Sequence, residues 1–389
     1  MQTLKSRGGQ ILYQAQTKTL GELVVLAVLA GVDLPGLDLA AQDLSDLDFS
    51  GGFFPDANLA DSNLADSNLA QACLRGANLT KTNLNQANLT NSDLSYADLT
   101  GTDLRGARIT GVNFSGANLT HTDLEAAETG SFQLVMPGVR ILTQGVRVYG
   151  QEPVILTGAT LRQTNFRCVN LTRVSLDKAA QIIDCRFDDA VLDWTRLYDY
   201  QILASSFRSA SLSYLQIWGR NLAGVQLSGV SWPYGFLESF DLTEGNFSDA
   251  DLRWGHLRRA NFTEANLAGA ALDEADLREA NLRGAILLRT VLAKARLMKA
   301  DLAGANLAEA DLHGANLHQA IAVQADFFRA DLKGVSLLEA DLSGANLAGA
   351  NCLAVDWRGA NLAGANLAGA KFEPAALRRA HNVDPAWLV

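Results

Sequence analysis

Large apolar residues return along this chain at every fifth position. They start at Leu34 and pass through Leu39, Leu44, Phe49, Phe54 and Leu59 without a break to Leu124. A second run in the same rhythm begins by Leu156 and continues through Leu161, Phe166, Leu171 and Leu176. It then slips by one residue, because Phe187 lies eleven after Leu176. From Phe187 the frame holds to Phe372, with Ala322 its weakest member and Cys352 and Trp357 its least ordinary. Two before each large residue sits a small one, one before is mostly Asp or Asn, and the two after are mostly polar or small. Such a period fits neither the turn of a helix nor the alternation of a strand. It fits a coil with one flat side per repeat, in which the large and the small residue point inward and the other three outward. Four such sides close a turn of about 20 residues, and successive turns pair their backbones at about 4.8 Å.

The repeat resembles the pentapeptide-repeat family, whose consensus is A-(D/N)-L-x-x. Here it reads ANLAGANLAG from Ala360 to Gly369 and ADLAGANLAEADLHGANL from Ala300 to Leu317. The resemblance covers about 34–124 and 156–372 and implies an all-β protein, a right-handed quadrilateral parallel β-helix. A solenoid has to cover its apolar ends. Thr19-Leu20-Gly21-Glu22 reads as a capping box opening a short helix to Ala30, closed by Gly31. Pro374 to Ala380 reads as a second short helix. The expected organisation is an N-terminal segment with a helical cap (1–33), a first repeat segment (34–124), an irregular break (125–155), a second repeat segment (156–372) and a C-terminal helical cap (373–389). The break is expected to be a protruding loop or a kink. Ile141 and Val146 fall in the later frame, so degenerate coils are the alternative. In some relatives the C-terminal segment also makes a dimer interface, which Trp387 and Leu388 could serve, but capping alone is the preferred reading.

The composition, 48% hydrophobic and 19% charged, is that of an ordered chain. Its net charge of -10 is concentrated early, with 15 acidic against 7 basic residues in the first 130. That balance argues against general nucleic-acid binding, which needs clustered Lys and Arg. The longest apolar run, Leu23 to Ala30, is too short to span a bilayer and lacks a basic flank. The four cysteines show no paired spacing, so a reducing, cytoplasmic setting is expected.

Several motifs dissolve into the repeat. Asn-Leu-Thr at Asn78, Asn88, Asn118 and Asn170 matches a glycosylation sequon, but the consensus generates such triplets by itself. His313 and His318 are five apart, hence on neighbouring sides, and no metal-ligand cluster, nucleophile elbow, P-loop or dinucleotide fingerprint appears. Carboxylates are abundant, yet the Asp before each large residue is expected to face solvent. A filled solenoid offers a catalytic pair no pocket, so no enzyme activity, metal or cofactor is expected. Cys185 and Cys352 fall on inward positions and Cys73 and Cys168 on outward ones.

One window breaks the monotony. Trp194, Tyr214, Tyr234 and Trp254 are spaced by a full turn, each two residues after a large centre, an outward position. Tyr198 and Trp218 make a second pair on the adjoining side, while Tyr200 and Phe207 fall inward. These six outward aromatics are the candidate partner-binding residues. Stacked rings add about 0.5–1.5 kcal/mol beyond burial, so self-stacking is the competing explanation. Regular Ala, Asn and Leu coils do without them, and exposed Trp and Tyr are the usual material of interface hot spots. The expected function is a non-enzymatic scaffold that docks a protein partner, or a second copy of itself, along this aromatic edge. The family resemblance implies an alternative, since some members resemble duplex DNA in size and charge, bind DNA gyrase and protect it from quinolones. Against it stand Arg258, Arg259, Arg278, Arg283 and Arg296, and the mixing of Asp with Asn, where a DNA mimic needs a continuous negative surface. A spacer in a membrane-bound or pigment-bearing complex is the third reading.

Overall fold

The computed structural model describes residues 1–129, 156, 158–172, 174, 176, 181–198 and 205–388. They divide into two compact units, Met1–Leu197 and Tyr198–Val389. In both, parallel backbone pairs join residues 20 apart, such as Asn58 with Asn78 and Asn281 with Asp301. One turn is therefore four pentapeptides.

The repeat around Leu302 shows why the motif reads as it does, because all five of its N–H groups find an acceptor. Leu302 N–H donates to Ile321 O (2.6 Å) and Gly304 N–H to Val323 O (2.9 Å), both in the following coil. Asn306 N–H donates back to Ala285 O in the preceding one (2.9 Å), and Ala305 N–H closes the corner on Leu302 O (3.0 Å). The fifth donor, Ala303 N–H, is taken by the Asp301 carboxylate (3.0 Å). Asp or Asn thus precedes each centre because its side chain accepts an N–H that no carbonyl reaches. The corner needs a positive φ two residues after the centre, +68° at Gly304 and +57° at Glu264, as the third position of a type II turn does. Glycine is common there for that reason. The large centres and the small residues before them fill the interior, where Leu302, Leu307 and Ala305 are wholly buried. Ala322, Cys352 and Trp357 occupy centre positions in the same core.

The Asp and Asn side chains also speak to one another. Asn58 Nδ2 donates to Asp38 Oδ1 (2.8 Å) and Asn78 Nδ2 to Asn58 Oδ1 (3.1 Å), each one coil back. The same ladder runs Asp43–Asn63–Asn83, Asp48–Asn68–Asn88 and, in the second unit, Asp326–Asn346–Asn366.

In the first unit a hairpin of β1 (Gln2–Lys5) and β2 (Ile11–Ala15) lies against the first coil, where Asp38 N–H donates to Lys5 O. Helix α1 (Leu20–Leu29) follows, with the Thr19–Glu22 capping box formed in both directions and Gly31 at a positive φ behind it. Its Val24 lies against Leu39 and Leu44 of the coil interior, and Gly21 leaves room for the Leu47 side chain.

Coil geometry carries on beyond Leu124, since Ala127 is buried and Glu128 pairs with Arg108. Asn118 then pairs with Thr160, and Asp123 with Asn165 at a separation of 42 instead of 20. The interruption therefore adds 22 residues to one turn, while the backbone ladder closes across its two roots. Ile141 and Val146, the alternative degenerate coils, lie outside the described residues. In the next turn β3 (Thr160–Arg162) pairs in parallel with β4 (Gln181–Ile183), Thr160 facing Gln181, which is the one-residue slip.

Buried hydroxyls keep the same count. Thr82, Thr102 and Thr122 each donate to a carbonyl 23 residues earlier, whereas for Thr164 the separation is 45 and for the Cys185 thiol 24. The excesses are the same 22 and one.

From Asn221 the second unit is regular coil to Lys371. Helix α2 (Pro374–Leu377) is shorter than the sequence suggests, and its Leu377 is buried. The chain then rejoins the coil, with His381 pairing to Asn361.

Candidate functional site

The outward aromatics sit at the positive-φ corner. Trp194, Tyr214, Tyr234 and Trp254 have φ between +57° and +60°. This region suits Gly, Asn and Asp and costs other L-residues about 1–2 kcal/mol, with bulky side chains the least at ease. At Tyr234 the sequence compensates, because Pro233 fixes the preceding φ and Gly235 closes the turn on Trp232 O (3.3 Å). Pro233 lacks the N–H that Asp or Asn would accept, and Ser231 stands in the acceptor position. Gly235 is also required from inside, where a Cβ would lie 3.0 Å from the ring of the buried Trp232.

Within the second unit the structure brings Tyr234 and Trp254 together, with ring centroids 5.0 Å apart and planes 13° from parallel. The Arg253 guanidinium lies over the Trp254 ring at 5.1 Å. It is held there by Asp251, at 2.8 Å from Nε and 2.7 Å from Nη2. That hydrogen-bonded pairing keeps the Asp251 carboxyl below its usual range. Tyr234 and the guanidinium thus both lie against the Trp254 ring, which is half-buried. Tyr234 is 45% exposed, Tyr214 47% and Trp218 56%. Trp218 ends a short strand, Gln216–Trp218. Trp194 belongs to the first unit and is also exposed. The Tyr198 side chain and Tyr200 lie outside the described residues, and Phe207 is buried.

A second stack escapes the search for Trp and Tyr. Phe236 and His256 pair their backbones and stack at 4.6 Å with planes 2° apart. They occupy the position before a centre, so rings replace the Asp/Asn ladder there. Phe236 is 67% exposed. Their spacing of one turn was visible in the sequence; what hid them was the expectation that this position carries polar hydrogen-bonding side chains. Tyr234 and Phe236 flank Gly235, so the two stacks run side by side on the two slopes of one corner.

Other candidate groups are explained by the coil. The Cys185 thiol donates to Leu161 O and burial pushes its pKa up to about 11. Burial takes Cys352 to about 12. His313 Nδ1 lies 2.7 Å from the Asp311 carboxylate. Among the described residues no group of three His, Cys, Asp or Glu side chains could hold a metal ion, and no helix is long and apolar enough to cross a membrane.

Stacked parallel coils of four pentapeptides, filled by one large and one small residue per side, define a solenoid repeat protein. The family model described as Pentapeptide repeats (8 copies) matches residues 43–80, 72–111, 87–125, 155–193, 221–259, 260–298, 295–334, 325–353 and 346–381, well over half the chain. The chain belongs to the pentapeptide repeat family. Similar solved structures include a trypsin-treated form of QnrB1, a plasmid-mediated fluoroquinolone resistance protein, at 16% identity and TM-score 0.33 over 51% of this chain and 91% of that one. HetL, a pentapeptide repeat protein involved in heterocyst differentiation regulation from the cyanobacterium Nostoc sp. strain PCC 7120, is 25% identical at TM-score 0.20, over 78% of this chain and 86% of its own. A pentapeptide repeat protein from the Arabidopsis thaliana thylakoid lumen is 30% identical at TM-score 0.15, over 31% and 66%. No curated protein matches the chain.

Proposed function

We propose that this protein is a non-enzymatic docking scaffold. Its aromatic corner, Tyr214, Trp218, Tyr234, Phe236 and Trp254, receives a protein partner, and Trp194 and Tyr198 extend the same register in the sequence. The coil is right-handed, as the family resemblance implies, α1 and α2 cover its apolar ends, and the protein works in the cytoplasm. The observation that carries the reading is the placement of exposed Trp and Tyr at left-handed corners, against local backbone preference. Self-stacking gives back at most about what that conformation costs, so stability alone does not account for these residues. Exposed Tyr and Trp side chains, near a fixed guanidinium, suit a partner that offers aromatic faces and carbonyl oxygens.

Gyrase binding by DNA mimicry is the weaker alternative, because Asn interrupts acidic columns of the first unit, as in Asp38–Asn58–Asn78–Asp98. The test is affinity capture from native-source lysate with the wild type and with Tyr214, Tyr234 and Trp254 changed to Asn. A partner held by the wild type and lost by the equally folded variant supports docking at the corner. Identical captures reject it, and inhibition or protection in a gyrase supercoiling assay supports the alternative.

A further inference from the structure

Helix α1 carries a feature that neither the coil nor the aromatic corner uses. Its sequence, LGELVVLAVL, has one charged side chain, Glu22. Gly21, Leu23, Val24 and Ala27 are buried on the inner face. Positions 22, 25, 26 and 29, the i, i+3, i+4, i+7 stripe by which one helix meets another, point away from it. They hold Glu22, Val25, Leu26 and Leu29, with Leu26 40% and Leu29 77% exposed. Beside them runs an open groove lined by Met1, Lys18, Val25, Leu26 and, on its floor, Leu47 of the first coil. A helix apolar on both faces is normally covered on both.

Charge decides what covers it. From Thr19 to Leu74 the chain carries nine carboxylates and no Lys or Arg, and Lys18, at the edge of the groove, is the cation beside them. Asp46 and Asp48, both exposed, flank Leu47. A second copy seated on this groove would bring an identical acidic band against the first, which costs binding energy. An anionic bilayer surface is repelled in the same way.

We propose that the outer face of α1 and the Leu47 groove form a second docking site, which takes a basic amphipathic helix from a partner protein. Its apolar stripe packs on Val25, Leu26 and Leu29, and its Lys or Arg side chains lie opposite Asp46 and Asp48. This is the helix-in-groove mode of recognition, with apolar anchors giving affinity and the acidic rim giving orientation and selectivity.

The test uses the full chain and a fluorescein-labelled amphipathic helical peptide of about 18 residues, with Leu on one face and Lys on the other. Its anisotropy is read with the wild type, with L26S/L29S and with D46N/D48N. Ser at the two exposed helix positions leaves the inner face intact. Asn retains the left-handed corner at 46 and the acceptor for Asn68 at 48. The expected result is saturable binding, weakened about tenfold or more by L26S/L29S and several-fold by D46N/D48N, with no binding of the same peptide carrying Glu for Lys. Equal affinity for wild type and L26S/L29S would reduce the effect to charge attraction and overturn the site. A dimer in sedimentation that L26S/L29S dissolves would assign the face to a second copy. Cosedimentation with phosphatidylglycerol vesicles would assign it to a membrane.

Discussion

Replacing Trp254 by Asn separates the two explanations of the aromatic corner. The substitution removes a ring stack with Tyr234 worth about 0.5–1.5 kcal/mol beyond burial, a guanidinium contact worth about 0.5–1 kcal/mol and the burial of a half-buried indole, worth about 1 kcal/mol. It returns about 1–2 kcal/mol, because Asn accepts the +57° corner that an indole does not. The opposing contributions partly cancel, leaving a loss of about 0–2.5 kcal/mol. For a unit the size of Tyr198–Val389 the middle of that range moves the melting temperature by about 4 °C and its upper end by about 10 °C. The reference variant is Leu252→Ala, two residues earlier and 1% exposed, where the cavity costs about 2–5 kcal/mol. Melting both by circular dichroism at the strand signal gives the comparison. Trp254→Asn should fall clearly less than Leu252→Ala. If Trp254→Asn falls as far as Leu252→Ala, the column is structural and the case for docking at the corner is lost.

Further outcomes follow from the hydrogen bonds and the buried thiols. Asp326→Ala removes the acceptor of Phe328 N–H and of the Asn346 amide and should cost about 0.5–1.5 kcal/mol in denaturant melts, most of it restored by Asp326→Asn. Glu279, hydrogen-bonded by Arg258 and Arg259, has its pKa lowered from 4.5 to about 2. Its contribution is therefore complete above pH 4.5 and lost as pH falls towards 2, and Glu279→Gln should flatten that part of the stability–pH curve. A thiol reagent at neutral pH should modify exposed Cys168 and spare Cys185 and Cys352 until the chain is unfolded, as mass spectrometry of the labelled peptides would show.

The coil was legible because its period lives in the core. Leucine every fifth residue is a packing requirement, and no helix or alternating strand reproduces it. The Thr19 capping box and the slip before Phe187 were legible for similar reasons, each being a local rule or a break in the count. The purpose of Asp and Asn was not. Their abundance was plain, but facing solvent is only half of what they do, since the acceptor role of Asp301 depends on a backbone N–H that the corner leaves stranded. The left-handed corners were equally hidden, because Glu264 and Lys294 occupy them as well as Gly304. Phe236 and His256 were missed because they stand where the rule expects a polar ladder. The extent of the interruption needed the structure as well. The sequence loses its frame at Glu125, yet Ala127 and Glu128 still follow the coil and the chain rejoins it in register.

A column of carboxamides has a direction that leucines lack. An Asn hands a proton donor to the coil before it and offers an acceptor to the coil after it, whereas an Asp can only receive. In Asp43–Asn63–Asn83 and Asp326–Asn346–Asn366 the acid accordingly stands first. Coils of near-identical Ala and Leu could otherwise be exchanged for their neighbours, a whole turn out of place, at little cost in packing. In those columns such a slip would set an Asp where an Asn is needed to donate, although Asp103 with Asp123 and Asp311 with Asp331 are acid pairs in the native register. The acids thus act as punctuation in a repetitive text, telling the folding chain which line it is on.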